Sequence, residues 1–351
     1  MRPAEQVFVG IPGPELDPES TALLSAFQPG GVVLFKRNIQ DEEQLNDLVT
    51  ALRRLLPDAV FAIDAEGGRV DRLKDLVGPA PAASLLARRA PSYSLQAGRW
   101  VAQALRLFDI DVDFAPVVDL DRGATDNALD GRYFGAIPAE VVPRALAFLR
   151  GLYSGGAGGC IKHFPGLGGA GEDTHFRMSA VYLPAEELRT DLEPFEALAG
   201  PAGAVMVCHA LYPAYDSSMR PATLSPSIIG GLLRGRLGFD GLVFSDDMEM
   251  KALEEWGDLP ERCEACFAAG CDVLLVCHTL TALPDIVARL EHPGLQERVA
   301  EANRRLDTYR QRLLTLRTAQ DYISFMRENS RGERLDRIRQ ALEQLQASAG
   351  G

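Results

Sequence analysis

Short runs of apolar residues, rich in Val, Ile and Phe, recur along most of the chain: Val7 to Ile11, Gly31 to Phe35, Val60 to Ile63, Val112 to Val118, Cys160 to Phe164, Ala204 to Cys208, Leu242 to Ser245 and Val273 to Cys277. These eight runs are apolar at nearly every position rather than at alternate ones, the pattern of strands buried on both faces of a parallel sheet. Between them, apolar residues return every three or four positions over Glu42 to Leu55, Ser84 to Leu107, Ala139 to Tyr153, Ala185 to Leu198, Ser225 to Leu237 and Thr281 to Leu290, which predicts helices. The alternation predicts an α/β protein, a (β/α)8 TIM-type barrel with its helices outside. An open doubly wound sheet fits less well, because no G-x-G-x-x-G turn follows the first run. The barrel is expected over residues 1–317, with a charged helical extension over 318–351 whose leucines and isoleucines pack on the barrel or on a partner chain.

Composition narrows the class. The 351 residues are 46% hydrophobic and 24% charged, an ordinary globular balance, and the formal net charge of -13 leaves no basic face for nucleic acid. The N-terminal residues lack a charged segment followed by an apolar run, and no window is long and apolar enough to span a bilayer. A cytoplasmic protein without membrane spans is therefore expected. The six cysteines fall mainly inside apolar stretches, as reduced core thiols do. Cys263 and Cys266 form a C-x2-C without a second pair at zinc-site spacing, so no metal is expected.

Polar residues gather just after the apolar runs: Lys36-Arg37-Asn38, Asp64 to Arg69, Asp119, Lys162-His163, His209, Asp246-Asp247 and His278. In a barrel these strand ends converge on one mouth. Asp246, ending a buried run, is placed to attack or stabilise an electron-poor carbon; equally, it or Asp247 can cap the following segment. On the Gly-rich loop after Gly168, Asp173 can orient His175 as an acid and base, although a locally bonded loop histidine or a metal ligand also fits. Lys162 and His163 adjoin and so point to opposite faces unless Pro165 breaks the pleat. Lys162 either meets a hydroxyl-rich or anionic ligand or pairs with Asp119 or Asp64. Arg69, Arg72 and Arg132 carry the same ambiguity. His209 and His278 read as satisfied core or rim histidines.

Six motifs in order sharpen this: Ile63-Asp64-x-Glu66-Gly67-Gly68-Arg69-Val70-x-Arg72, Asp113-Phe114-Ala115-Pro116-Val117, Gly131-Arg132-x-Phe134-Gly135, Lys162-His163-Phe164-Pro165-Gly166, Asp173-x-His175, and Gly238-Phe239-Asp240-Gly241 with Phe244-Ser245-Asp246-Asp247-Met248. Together they resemble glycoside hydrolase family 3, in its branch of short, single-barrel bacterial β-N-acetylglucosaminidases. The resemblance implies Asp246 as nucleophile, His175 as acid and base oriented by Asp173, and Asp64, Arg72, Arg132, Lys162 and His163 as sugar-binding residues. It implies a carbohydrate substrate, a cell-wall muropeptide or chito-oligosaccharide, with no cofactor or metal; a monomer is expected. Leu167 departs from the family, which has a histidine there, and bears on how the loop packs. Two competing functions stand beside hydrolysis: phosphorolysis, because a histidine repels a phosphate acceptor less than a carboxylate does, and sugar binding with little turnover.

Overall fold

The computed structural model describes residues 2–124, 128–171, 179–328 and 330–350. Its main sheet is parallel and runs β1 (Val7–Gly10), β2 (Gly31–Leu34), β3 (Val60–Ile63), β6 (Val112–Asp113), β7 (Gly158–Gly159), β8 (Ile161–Phe164), β9 (Ala204–Val207), β10 (Leu242–Asp247) and β11 (Val273–Val276). A two-stranded antiparallel hairpin, β4 (Ala65–Gly67) with β5 (Val70–Asp71), stands on the end of β3. The sheet order is β7-β6-β3-β2-β1-β11-β10-β9-β8. Its two edges, β7 and β8, are separated in sequence by Cys160 alone, so they are halves of one strand. One half pairs with β6 and the other with β9; nine segments thus make the eight strands of a closed TIM-type barrel. Closure continues above β6, where Lys162 N–H donates to Pro116 O (3.3 Å) and Val118 N–H to Lys162 O (2.8 Å). Regular pairing stops early on this strand because Pro116 has no N–H to offer.

The alternation of side chains across each strand sorts the core into two. Phe8, Val33, Val60, Ala62, Val112, Phe114, Cys160, Met206, Leu242, Phe244, Val273 and Leu275 fill the barrel interior, while their neighbours pack against the surrounding helices. The helix Glu42–Leu55 shows how the outer layer forms: Asp41 caps it by accepting from Gln44 N–H (2.9 Å), and Leu45, Leu48, Val49 and Leu52 lie buried along one stripe. The predicted helix from Ser84 to Leu107 is instead two, Ala83–Leu86 and Pro91–Leu107. Pro91 starts the second, where its fixed φ and missing N–H cost nothing.

Beyond the last strand, the helix Gln296–Leu316 seals the base of the barrel with Leu306, Tyr309 and Leu313, which join the interior cluster. Helices Gln320–Glu328 and Arg331–Gly350 follow, and Leu335, Ile338, Leu342 and Leu345 of the last are buried against the main core. No helix among the described residues is long and apolar enough to cross a membrane.

Candidate active site

Strand parity aims three charged residues into the mouth. Val60 and Ala62 face the interior, and two residues on comes Asp64; Cys160 leads to Lys162; Leu242 and Phe244 lead to Asp246. Lys162 is 3% exposed, and its Nζ donates to Asp64 Oδ1 (2.8 Å) and lies 2.6 Å from Glu66 Oε1. Arg132 forks onto the same Glu66, Nε to Oε2 and Nη2 to Oε1 at 2.7 Å each. Arg72 Nη2 stands 3.5 Å from Asp64 Oδ2. Burial by itself would raise the Glu66 carboxyl, but the charges of Arg132 and Lys162 outweigh it and hold Glu66 well below the usual carboxylate range. For Lys162, burial pulls the ammonium down, yet Asp64 and Glu66 together lift it above its ordinary value. Both groups are thus charged at neutral pH.

His163 turns to the same cluster as Lys162 rather than to the opposite face. The pairing of β8 with β9 shifts between Ile161 and Phe164, so the simple pleat fails here. His163 Nδ1 is 2.7 Å from Asp119 Oδ2, and Arg132 Nη2 is 3.4 Å from Nε2. Arginine can only donate, so Nε2 accepts and Nδ1–H donates to Asp119. Asp119 also accepts from His163 N–H and from Leu167 N–H (2.7 Å), which pins the start of the loop after β8. The Leu167 side chain is buried in the main core, so the departure from the family is absorbed by packing. A side chain at Gly168 would collide with the Leu120 carbonyl, so the loop passes there only as glycine. Asp173 and His175, farther along this loop, lie outside the described residues.

Asp246 sits half-buried at the top of β10, where a bulge places Phe244 opposite Val273 but Asp247 opposite Leu275. Ser245 fills the irregularity by accepting Leu275 N–H at 3.0 Å. The two carboxylates that follow it have different partners. Asp247 closes the turn by accepting from Glu249 N–H (3.1 Å) and pairs with His278 Nε2 (3.2 Å), while Asp246 accepts from Asp247 N–H (2.8 Å) and acts electrostatically on His209 and Cys160. His209 is a satisfied core histidine: its Nε2–H donates to Asp247 O (2.8 Å), Nδ1 accepts from Thr223, and burial lowers its basicity. It thereby fixes the backbone next to Asp246. Arg69 lies exposed and donates to the Ala128 carbonyl instead of joining the cluster.

The model for "Glycosyl hydrolase family 3 N terminal domain" matches residues 6–315. The chain belongs to glycosyl hydrolase family 3. This family 3 member is therefore a glycoside hydrolase. A "Beta-hexosaminidase" of Stenotrophomonas maltophilia is 38% identical over 296 residues, covering 82% of this chain and 86% of its own. One from Tolumonas auensis is 36% identical over 294 residues, covering 82% and 87%. Among solved structures, NagZ from Neisseria gonorrhoeae in complex with N-trifluoroacetyl-D-glucosamine superposes with a TM-score of 0.81 at 31% identity, covering 97% of this chain and 99% of that one. In this family 3 barrel, two acids take roles that the sequence did not assign to them. Glu66 joins the two cations, and Asp119 grips His163 rather than Lys162. A signal for Glu66 was present in the Gly67-Gly68 pair behind it, a tight turn that returns the chain to the mouth.

Proposed function

We propose that this family 3 hydrolase is a retaining exo-β-N-acetylglucosaminidase that removes terminal β-linked N-acetylglucosamine, with muropeptide fragments as substrate. The observation that carries this reading is the convergence of Asp64, Glu66, Arg132, Lys162 and His163 in one hydrogen-bonded cluster, with Asp64 partly exposed, on the mouth that also holds Asp246. The names of the β-hexosaminidase relatives support the sugar. Rigid donors and acceptors of this kind suit ring hydroxyls, and the bonds that hydroxyls donate to carboxylates such as Asp64 strengthen as positive charge builds on the anomeric carbon. Asp246 attacks that carbon and forms a glycosyl ester while His175, oriented by Asp173, protonates the leaving oxygen; the neutral ring then activates water, and two inversions give retention. Six free, buried thiols support a reducing, cytoplasmic setting.

The test is hydrolysis of an aryl N-acetyl-β-glucosaminide, with product anomers followed by NMR. Retained hemiacetal with a bell-shaped pH profile near neutrality is expected, together with a fluoro-sugar label on Asp246. Sugar-1-phosphate as main product in phosphate buffer would replace hydrolysis by phosphorolysis. Wild-type turnover no faster than that of Asp246→Ala would leave a sugar-binding barrel.

A further inference from the structure

Val112 of β6 and Phe114 just after it face the barrel interior, so Asp113 between them faces the other way. It is completely buried. Its Oδ1 accepts from Ala65 N–H at 2.9 Å, and its Oδ2 has no hydrogen-bond partner among the described residues. Ala65 lies between Asp64 and Glu66, the two acids that hold Lys162. A carboxylate buried with one orphan oxygen bears a large desolvation penalty, which protonation removes without giving up the bond to Ala65.

We propose that Asp113 is a positioning residue that works as its neutral acid, anchoring the turn that carries Asp64 and Glu66 without competing with them for Lys162. This rests on the sugar-binding role given to that cluster above. The charged groups that face Asp113 are Lys162 from β8 and Asp64 and Glu66 from the end of β3 and the hairpin. Burial pushes the Asp113 carboxyl well above its ordinary range; Lys162 opposes this, while Glu66 and Asp64 add to it. Were Asp113 ionised, a third carboxylate would draw on a lysine that already serves two.

Two variants separate the neutral-acid role from a merely structural one. Asp113→Asn copies the neutral form, and Asp113→Leu fills the space without the bond. For the aryl N-acetyl-β-glucosaminide at neutral pH, Asp113→Asn should keep KM within about twofold, and Asp113→Leu should raise KM about tenfold with kcat nearly unchanged, as the loss of one buried hydrogen bond predicts. The wild-type KM should rise at alkaline pH, and Asp113→Asn should lack that rise. An equal alkaline rise in both proteins, or an unchanged KM in Asp113→Leu, would overturn the proposal. Thermal unfolding gives a reading independent of activity. Because the folded protein holds this proton more tightly than the unfolded chain does, wild-type stability should fall relative to Asp113→Asn as pH rises from the ordinary carboxylate range. Parallel curves would sink the neutral-acid idea even if the enzyme acts on a different sugar.

Discussion

Both ends of the barrel bury ionic clusters, and they are wired differently. At the base, Asp272 is fully buried and accepts from Arg234 (2.6 Å), Arg298 (2.5 Å), Arg305 (3.3 Å) and Val243 N–H (2.9 Å). Asp111, also at the base, accepts from Arg53, Arg106, Arg317 and Phe61 N–H. In each, one acid is saturated by three guanidiniums, and Arg298, Arg305 and Arg317 belong to the end helix or its exit. At the mouth, acids and cations alternate, Asp64 to Lys162 to Glu66 to Arg132, and the chain of contacts ends on a histidine ring. The base clusters staple the sealing helix to the barrel, whereas the mouth cluster is a preorganised surface beside Asp246.

Substitutions at the two ends should separate accordingly. The largest effect is expected from Asp246→Ala: loss of about 10⁴-fold or more in kcat, with melting temperature nearly unchanged, measured by aryl glycoside turnover and calorimetry. Next comes Asp272→Ala, which removes the fully buried carboxylate that three half-buried guanidiniums share. It should cost about 3–5 kcal/mol in denaturant unfolding, yet leave KM and kcat intact below the transition. Glu66→Gln should raise KM about tenfold or more by weakening the hold on Arg132 and Lys162, so that here, unlike at Asp272, a cost in unfolding comes with a loss of binding. A Glu66→Gln protein that melts early but binds normally would erase the distinction between the two ends.

The smallest effect concerns His278, whose hydrogen bond to Asp247 raises its basicity. A raised folded value means that the stabilisation is present below the ordinary histidine range and is lost as pH rises through the folded value. His278 is more than half exposed, so His278→Ala should flatten the stability profile above about pH 6.5 by under about 0.5 kcal/mol. A profile unchanged from wild type would mean that the pair contributes nothing.

Much of the site was legible because strand alternation is local. Asp64, Lys162 and Asp246 each lie two residues beyond an interior apolar position, so sequence parity points all three into the mouth. His163 was not legible, since its direction follows from an irregular register rather than from the pleat. Glu66 lies off the strand, on a hairpin whose reach depends on a glycine turn. The choice between Asp64 and Asp119 as partner of Lys162 was open in the sequence, and Asp64 takes it.

The sequence by itself determined the order of strands and helices, the barrel they form and the side of each strand that is charged, because periods of two and 3.6 residues follow from backbone geometry. Tertiary structure decided which acid meets which cation, that Asp247 closes the turn after β10, and that the two ends of the barrel wire their ionic clusters differently. Those outcomes depend on the relative heights of strands far apart in the chain, set by barrel closure and register, and periodicity carries no information about height.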